Sequence, residues 1–428
     1  MNYEETLKYL YSKLPMFQRI GAAAYIKDLG NTIALLDALD NPQNSFPAIH
    51  VAGTNGKGSV SSMLASILQE SGYRVGLHTS PHLSNFTERI RVNGAEMPRE
   101  AVVDFVRAHQ IVFETIGPSF FEATVGMAFA HFRDENVDVA VVEVGMGGRL
   151  DSTNIIQAKL GVITNISHDH GQFLGNTLPE IAGEKAGIIK SGMTVILGEN
   201  HPETMPVFTD RAEKVNARLV IAADICRARQ VSADLEGQLY EVRRLGFVPL
   251  ESYQIDLAGH YQGKNLVTAL CAVDALRELG WHIHKSCVKR GLANVRRNTG
   301  LRGRMEVLGK SPLILTDVGH NEAGVHQVLE QLAAVPHDQL HLVWGTVNDK
   351  EIGAILKMLP QTANYYFVKP NVPRGLAANL LAADAEKAGL KGSAFSSVNA
   401  GLAAAKAAAG EKDLIFVGGS TFVVAEVI

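Results

Sequence analysis

Residues 49–60 read IHVAGTNGKGSV, in which an apolar run enters a glycine-rich loop and the loop leads into a helix-like stretch. A strand, a glycine loop and a helix in this order predict a phosphate cradle, because glycines let the backbone come close and the N–H groups at a helix start face an anion. Lys57 would add a positive charge and Ser59 a hydroxyl group. The stretch therefore predicts that a nucleoside triphosphate binds here.

The loop fits the general P-loop pattern G-x-x-x-x-G-K-[ST] imperfectly. Its first glycine, Gly53, lies four residues before Lys57 where the pattern requires six, and Gly58 separates Lys57 from Ser59. The alternative interpretation is a glycine-rich turn of another α/β domain, including a dinucleotide fold. The dinucleotide fingerprint G-x-G-x-x-G does not match these residues, and it needs no lysine.

The composition is that of a globular protein with a sizeable core. The chain has 428 residues, 46% of them hydrophobic and 20% charged, and a norm of about 100–200 residues per domain predicts two or three domains. A net charge of −4 gives no general electrostatic reason to bind nucleic acid or an anionic membrane. The first residues do not resemble a signal peptide, no apolar run reaches membrane-spanning length, and the three cysteines form no CxxC pair, so we expect a cytoplasmic protein with free thiols.

Short apolar runs alternate with helix-like stretches, which predicts parallel sheets covered on both faces. The predicted strands are 49–52, 137–144, 160–166, 193–197, 312–317, 341–345, 364–368 and 413–417. We predict an α/β chain of two domains, an N-terminal P-loop ATPase-like domain and a C-terminal Rossmann-like α/β domain. Residues 224–260 break the alternation and predict a small antiparallel β patch. The polar stretch 294–303 contains the candidate linker, which we place at 298–303 between domains at 1–297 and 304–428.

Polar side chains follow the ends of three predicted strands, and the carboxyl ends of parallel strands are where α/β proteins bind ligands. Glu143 ends one apolar strand, the run His168–His170 follows the next, and the run Asp317–Asn321 follows a strand of the second domain. A charged residue at the end of a buried strand is costly unless it is paired or bound to a metal. With a triphosphate present, Mg²⁺ held by one or two protein groups is the natural ligand.

Each of these residues also has a purely structural interpretation. Glu143 could form a salt bridge, a lone histidine is more often structural, and Lys185 lies in a helix-like segment where a solvated lysine is the default. Arg302 and Arg304 could form surface salt bridges, and Asn321 could simply cap a helix. The residues taken one at a time leave both interpretations open.

Taken together, the motifs resemble those of the folylpolyglutamate synthase/dihydrofolate synthase family, within the Mur ligase superfamily. The resemblance covers nearly the whole chain, and GTNGKGS at 53–59 is similar to the family's modified phosphate loop, which accounts for both departures from the general pattern. The other motifs that carry it are TSPHLSNFTERIRVNG (79–94), EVGMGGRLDSTN (143–154), ITNISHDH (163–170), GEKAGIIK (183–190), HYQGKNLVTAL (260–270) and DVGHN (317–321).

The resemblance implies an ATP-dependent amide ligase. ATP would phosphorylate the carboxylate of dihydropteroate or of a folate to an acyl phosphate, and the amine of L-glutamate would then displace phosphate. The resemblance implies ATP and two Mg²⁺ ions, with a monovalent cation as a further candidate, and only small-molecule partners. We expect a monomer in which an N-terminal Mur ligase central-type domain and a C-terminal glutamate ligase domain close over ATP.

The resemblance also assigns roles to individual residues. The ATP-binding set would be Thr54, Asn55, Gly56, Lys57, Gly58, Ser59, Gln262, Asn265, Arg304 and Asp317. The metal ligands would be Ser59, Ser80, Glu143, His170 and a carbamylated Lys185. The catalytic set would be Lys57, Glu143, His170, Lys185 and His320, and the glutamate side would be His320 and Ser420. Burial near cations would lower the pKa of Lys185 enough for its neutral amine to react with CO₂.

Two positions depart from the family's pattern. Leu301-Arg302 precedes Gly303-Arg304 where the family usually has an aromatic residue and a proline, and Glu322 stands where a proline commonly follows the D-x-x-H-N turn. Both concern the hinge and the glutamate site rather than the reaction class. The segment 17–27, FQRIGAAAYIK, lies where the family's pterin side begins.

Two rival functions come from the same residues. A muramyl-peptide-type amino acid ligase of the superfamily usually has GKT in its loop and a UDP-sugar domain before it, whereas 52 residues precede Gly53 here. A non-catalytic nucleotide-binding module would not need the second metal site that Glu143 and His170 suggest. The choice between dihydropteroate and a folate as the acceptor stays open.

Overall fold

An eight-stranded sheet carries the phosphate loop at its carboxyl edge. Its strands are β1 (Ala48–Ala52), β2 (Val75–His78), β3 (Ile90–Val92), β4 (Ala95–Glu96), β5 (Val139–Glu143), β6 (Leu160–Ile163), β7 (Thr194–Leu197) and β8 (Arg218–Ile221). In this computed structural model, which describes residues 1–16, 28–234, 236–246, 250–348 and 352–428, their order is β4-β3-β2-β5-β1-β6-β7-β8. The strands from β2 to β8 in this order are parallel, while β3 and β4 form an antiparallel edge. The predicted pterin-side segment 17–27 lies outside the described residues.

Helices cover both faces of this sheet. They are α1 (Tyr3–Lys13), α2 (Gly30–Ala38), α3 (Lys57–Glu70), α4 (Arg99–Ile116), α5 (Phe120–Asp134), α6 (Gly171–Leu174), α7 (Leu178–Ala186), α8 (Met205–Lys214), α9 (Ala222–Ile225), α10 (Gln262–Glu278), α11 (Lys285–Ala293) and α12 (Val295–Thr299), with 3₁₀ turns at Pro42–Asn44, Phe86–Arg89 and Ser152–Ile155. Helices α3, α10 and α11 share one apolar core with alternate strand residues such as Ile49 and Val51. Helices α2, α4 and α5 share another core with Ala48 and Val142. The alternation of strand side chains therefore supplies two cores, as a covered parallel sheet requires.

The predicted antiparallel patch is confirmed. It consists of β9 (Cys226–Ala233), β10 (Gln238–Arg244) and β11 (Glu251–Ile255), in the order β11-β10-β9. Its inward-facing residues, including Tyr240, Val242 and Tyr253, are buried in the same core as helix α10. The patch thereby helps to hold the helix that carries Gln262 and Asn265.

A second sheet of six strands forms the C-terminal part of the chain. Its elements are β12 (Glu306–Lys310), β13 (Leu313–Thr316), β14 (Leu340–Trp344), β15 (Asn364–Phe367), β16 (Gly392–Ala394) and β17 (Leu414–Gly418), with α13 (Glu322–Ala334), α14 (Gly353–Met358), α15 (Ala378–Lys387), α16 (Val398–Ala408) and α17 (Thr421–Ala425). The order is β12-β13-β17-β14-β15-β16, all parallel except β12. Apolar cores lie on both faces. The predicted two-domain α/β fold class is confirmed.

The polar stretch 294–303 begins as a helix rather than as open chain. Helix α12 occupies its first half, and Asp256 accepts hydrogen bonds from the backbone N–H groups of Val295 and Arg296 at 3.0 and 2.8 Å. Asn298 donates to Ser66 Oγ on α3 at 3.1 Å. The start of this stretch is thus attached to the phosphate-loop helix, and the linker at 298–303 stays a prediction. Within the described parts of the chain, no helix has both the length and the apolar character to cross a membrane.

Close packing of α11 on α3 depends on Gly291. A Cβ at this position would lie 2.6 Å from Ile67 Cα, and the Gly291 carbonyl accepts a 2.6 Å hydrogen bond from Ser66 Oγ. We expect Gly291→Ala to lower the free energy of unfolding by about 1–3 kcal/mol, measured by urea denaturation.

The matched control is Gly183→Ala within α7, where an added Cβ would meet nothing within 4 Å. We expect this variant to be as stable as the parent or up to about 1 kcal/mol more stable, because alanine favours the helix. Equal unfolding midpoints for the two variants would show that α11 does not pack on α3 as closely as described.

Candidate active site between the two domains

The loop 53–58 leads from β1 into α3 and holds its open shape through glycines. Gly53 and Gly56 have φ angles of +144° and +83°, which side chains rarely adopt. A Cβ at Gly53 would overlap the Thr164 hydroxyl, and a Cβ at Gly56 would overlap the Asn265 amide. The first turn of α3, with its unpaired N–H groups, therefore faces the edge of the sheet where an anion can bind.

Two lysines converge on this loop. Lys57 Nζ donates to the carbonyl oxygens of Gly53 and Thr54 at 3.2 and 3.1 Å, and Lys185 Nζ donates to the same Gly53 oxygen at 2.9 Å. Burial, together with the nearby charge of Lys57, lowers the pKa of Lys185 to about 7. Lys185 is thus a buried amine with a large neutral fraction at neutral pH, as carbamylation requires.

Glu143 ends β5 beside the loop and is only 5% exposed. Burial raises the pKa of Glu143 to about 7, while the positive charges of Lys57 and Arg304 and a hydrogen bond from the Ser80 backbone oppose that rise. Arg304 reaches this point from the C-terminal domain, since a Cβ on Gly58 would lie 3.2 Å from Arg304 Nη2 and 3.6 Å from Glu143 Oε2. The structure therefore brings Lys57, Glu143 and Arg304 together as predicted.

Asp169 connects the histidines of the two domains. Its Oδ2 lies 3.9 Å from His170 Nε2 and 3.5 Å from His320 Nε2, and it accepts a hydrogen bond from Asn321 Nδ2 at 3.1 Å. His170 has a φ of +53°, an uncommon conformation for a side chain that is often found at functional sites. The predicted residues His170 and His320 thus lie at one inter-domain edge. The run His168–His170 made Asp169 a candidate metal ligand, but its contacts with His320 and Asn321 were not predicted.

Gln262 and Asn265 lie beneath the loop, at the start of α10. Asn265 Nδ2 donates to Gln262 Oε1 at 2.8 Å, and Gln262 Nε2 donates to Ser59 Oγ at 3.3 Å. Gln262 is fully buried, so its amide orients Ser59 and Asn265 in this structure.

Asp317, predicted to contact the nucleotide, is attached to the N-terminal domain. Its Oδ2 accepts from the Tyr261 hydroxyl at 2.5 Å and from Met305 N at 2.9 Å, and its Oδ1 accepts from Gly319 N at 2.8 Å. Burial and the adjacent Asp317 charge raise the pKa of Tyr261, which keeps this phenol a donor. The carboxylate is thereby fixed in orientation at the inter-domain edge.

A cleft of about 240 Å³ opens beside these groups and is lined by both domains. Ser80, His170, His320 and Ser420 line it among the predicted residues. Side chains that the sequence reasoning gave no role also line it: Met16, Arg89, Phe120, Phe121, Glu122, Met146, Asp151, Arg374 and Phe422. Arg89 and Asp151 lie inside quoted motifs, so the motifs were a signal for them, whereas the sequence offered no signal for Phe121 or Arg374.

Two charged residues of the cleft, Asp151 and Arg89, are held in place by neighbouring groups. Asp151 is buried and accepts from Thr153 N at 3.0 Å and Met146 N at 2.9 Å, and burial raises its pKa. Arg89 lies 5.2 Å from the centre of the Phe120 ring, and burial lowers the pKa of its guanidinium to about 10. The cleft therefore combines an apolar aromatic lining with fixed polar groups, as ligand sites commonly do.

The metal-type side chains are spread out. In the parts of the chain that the structure describes, no three histidine, cysteine, aspartate or glutamate side chains lie together as a metal site. A donor set of one carboxylate with serine hydroxyls suits Mg²⁺, which takes one or two protein groups and completes its shell with phosphate and water. Glu143 with Ser59 and Ser80 fits that description.

Comparison with known proteins gives matches to both halves of the chain. Residues 51–273 match the Mur ligase middle domain, and residues 303–421 match the Mur ligase glutamate ligase domain. The dihydrofolate synthase/folylpolyglutamate synthase of Bacillus subtilis is 32% identical over 87% of this chain and 86% of its own length. The probable bifunctional folylpolyglutamate synthase/dihydropteroate synthase of Haloferax volcanii is 34% identical, and the match covers 100% of this chain but 50% of that protein.

Solved structures agree with these matches. The structure of Mycobacterium tuberculosis folylpolyglutamate synthase complexed with ADP superposes with a TM-score of 0.87 at 29% identity, over 99% of this chain and 97% of that one. The ordered motifs, the two sheets and the inter-domain edge therefore have one common explanation. The chain belongs to the folylpolyglutamate synthase/dihydrofolate synthase family of the Mur ligases.

Proposed function

We propose that this chain is an ATP-dependent ligase that joins L-glutamate to the carboxylate of dihydropteroate or of a folate through an acyl phosphate. The observation that carries the proposal is that a phosphate loop, the buried carboxylate of Glu143 and an aromatic cleft meet at a single inter-domain edge. A phosphoryl donor, an acceptor carboxylate and an amine need such a meeting point, because the same carboxyl group reacts in both steps: its oxygen attacks the γ-phosphorus of ATP and releases ADP, and its carbon is then attacked by the amine. All of these groups belong to one chain, so the proposal requires only a monomer.

The phosphate loop supplies the groups that hold the triphosphate. The first N–H groups of α3 point toward the anion, and Lys57 exchanges the carbonyl oxygens of Gly53 and Thr54 for phosphate oxygens. Arg304 adds a second positive charge from the other domain beside Glu143. Positive groups fixed around the transferring phosphoryl stabilise its negative charge, which is the main contribution that a protein makes to this reaction.

Ser59, Ser80 and Glu143 would hold one Mg²⁺, and Glu143, His170 and a carbamylated Lys185 would hold a second. When bound, Mg²⁺ offsets the negative charge that builds up as phosphoryl passes between two anions. The high pKa of Glu143 fits this role, because a buried carboxylate without a fully compensating partner favours a bound cation.

The aromatic cleft fits the pterin end of the acceptor. Phe120, Phe121 and Met146 provide apolar surface for a flat ring, and Asp151 provides a fixed carboxylate for the ring's N–H donors. The muramyl-peptide alternative has less support, because a pterin ring suits an apolar aromatic lining better than a sugar and peptide do.

The C-terminal side of the cleft fits glutamate. Arg374 lies 5.5 Å from the centre of the Phe422 ring and lines the cleft together with Ser420 and His320. A guanidinium suits a carboxylate because it offers two parallel N–H donors. We assign Arg374 to a glutamate carboxylate and His320 to the region of the attacking amine.

Removal of the Glu143 carboxylate tests the function as a whole. We expect the wild type to incorporate radiolabelled L-glutamate in an ATP-dependent manner when dihydropteroate and a folate are each supplied separately. Glu143→Ala should lower that rate by about 10³-fold or more, because it removes the carboxylate assigned to hold Mg²⁺, whose charge would stabilise the transferring phosphoryl. ADP binding, measured by calorimetry, should weaken by less than about tenfold.

The control is Glu135→Ala, which removes an exposed carboxylate that pairs with Arg74 at the surface. Ligation by Glu143→Ala at the wild-type rate would favour the non-catalytic binding module. Incorporation with only one of the two acceptors would identify the substrate.

Carbamylation of Lys185 has a direct test. We expect the intact mass of the native protein in bicarbonate buffer to include one carbamate, which is lost when the pH falls below about 7 and the amine becomes protonated. Lys185→Ala should lower ligation by about 100-fold, and acetate should restore part of that loss by supplying a carboxylate.

Lys190→Ala is the matched control, since Lys190 donates to the carbonyl oxygens of Asn154 and Ile156 at 2.6 and 2.5 Å and serves as a structural tie. Acetate should not change its rate. A fully active native enzyme with an unmodified Lys185 would rule out the carbamate.

The acceptor cleft is tested at Phe121. Loss of ring contacts in Phe121→Leu should raise KM for the pterin acceptor by about 3–10-fold, because an aromatic contact is worth about 0.5–1.5 kcal/mol. KM for ATP should change by less than about twofold. Phe113→Leu, at a buried position of α4 outside the cleft, controls for lost core packing and should leave the acceptor KM unchanged. Equal effects of the two variants would remove Phe121 from the acceptor site.

A further inference from the structure

A pair of asparagine side chains ties the phosphate loop to the C-terminal domain. Asn55 Nδ2 donates to Asn321 Oδ1 at 3.0 Å, and Asn321 Nδ2 donates to Asn55 Oδ1 at 3.0 Å. Asn321 is 5% exposed, so water competes little for these two hydrogen bonds. Two reciprocal hydrogen bonds fix both the distance between the two amide groups and their common plane, whereas a single hydrogen bond leaves the two groups free to rotate.

Both ends of the pair are themselves fixed. The Asn55 backbone N–H donates to Asn165 Oδ1 at 2.9 Å, and the Asn55 carbonyl accepts from Thr164 Oγ1 at 2.5 Å, so β6 and its following loop hold this end. Asn321 Oδ1 also accepts from Gly324 N at 2.8 Å, which makes Asn321 the cap of helix α13. The pair therefore connects two rigid elements, one from each domain.

The tie also includes the groups around the reacting centre. Asn321 Nδ2 donates to Asp169 Oδ2 at 3.1 Å, and that oxygen lies 3.5 Å from Nε2 of His320, the residue next to Asn321. A shift of Asn321 would move His320 with it, because the two are neighbours in one turn. The side chain of Asn321 thus sets the distance between the phosphate loop and His320.

We propose that Asn55 and Asn321 are positioning residues for the second step of the reaction, the attack of the amine on the acyl phosphate, which rests on the function proposed above. In that step the amine nitrogen forms the C–N bond, the C–O bond to phosphate breaks, and inorganic phosphate and a proton leave. The loop holds the phosphoryl half, while His320 and the C-terminal domain hold the amine half. Their mutual alignment matters for this step more than for acyl phosphate formation, because the pterin end of the acceptor is assigned to Phe120, Phe121 and Asp151 on the N-terminal side of the cleft, the side that also carries the phosphate loop.

The variants Asn55→Ala and Asn321→Ser test the proposal. The first removes the tie and keeps the backbone bonds of the loop, and the second removes the tie and retains a side chain that caps α13. Asn364→Ala, at the exposed start of β15, is the matched control for loss of an asparagine amide. Each protein is assayed with ATP and acceptor in two ways: ligation of L-glutamate, and trapping of the acyl phosphate as a hydroxamate by added hydroxylamine.

We expect the ratio of ligation to hydroxamate formation to fall about tenfold in both tie variants, since two neutral hydrogen bonds are lost. Hydroxamate formation alone should stay within about twofold of wild type in Asn321→Ser, whereas Asn55→Ala, at a residue also assigned to ATP binding, is judged by the ratio alone. Asn364→Ala should retain the wild-type ratio. A parallel loss of both activities, or an unchanged ratio, would overturn the positioning role.

A wild type that forms neither product would instead overturn the proposed function and the assigned step with it. A double-mutant cycle on urea unfolding then decides whether the tie exists. If the losses of unfolding free energy in Asn55→Ala and Asn321→Ser add fully in the double variant, the two side chains do not interact and the tie is refuted. If the double variant is as stable as the less stable of the two single variants, the tie is supported.

Discussion

Two lysine ammonium groups share one carbonyl oxygen, that of Gly53, and much of the site follows from this concentration of positive charge. Burial, and after it repulsion between the two charges, lowers the pKa of Lys185 to about 7, although Asp169 and Asp151 oppose that fall. A bound anion, or loss of one charge, would relieve the repulsion further. A triphosphate supplies the anion at Lys57, and a carbamate would remove the charge at Lys185, so one electrostatic constraint accounts for both expected roles.

Glu143 is buried beside these cations and still has a raised pKa. Burial costs the carboxylate more than Lys57 and Arg304 return, because neither of them forms a direct ion pair with it in the part of the chain that the structure describes. A carboxylate in that condition gains most from a divalent cation placed against it. Arg304 comes from the C-terminal domain, and the charge balance of the loop therefore depends on how the two domains meet.

The sequence predicts a site residue when the strand just before it places that residue at the site. It does not predict a residue that reaches the site only because distant parts of the chain pack together. Glu143, His170 and Asp317 were predictable because each follows an apolar strand, and parallel strands bring their carboxyl ends to one edge. Strands β2 and β8 were among those not predicted from the sequence. Arg374 was not predictable either, since only the C-terminal fold brings its turn to the cleft.

Some departures from familiar patterns have local physical reasons that only the structure reveals. Glu322 replaces the proline expected after the D-x-x-H-N turn, but it occupies the first helical position of α13, where an acidic side chain is also favourable beside the positive end of the helix. Leu301 replaces a residue of the hinge motif and packs partly against the core that contains α3.

Gly58 is the residue that separates Lys57 from Ser59 and so departs from the general P-loop pattern. This departure also has a local structural reason, at the centre of the site. Any side chain there would begin 3.2 Å from Arg304 Nη2 and 3.6 Å from Glu143 Oε2. A Cβ at this position would require the Arg304 guanidinium to move by a few tenths of an ångström, and a larger side chain would compete with it for the space beside Glu143. In a P-loop of one domain the position after the lysine can carry a hydroxyl, whereas here it has to leave room for a group from the second domain. The glycine at position 58 thus leaves room for Arg304 of the second domain beside Glu143, so the loop sequence suits a phosphate site built from two domains.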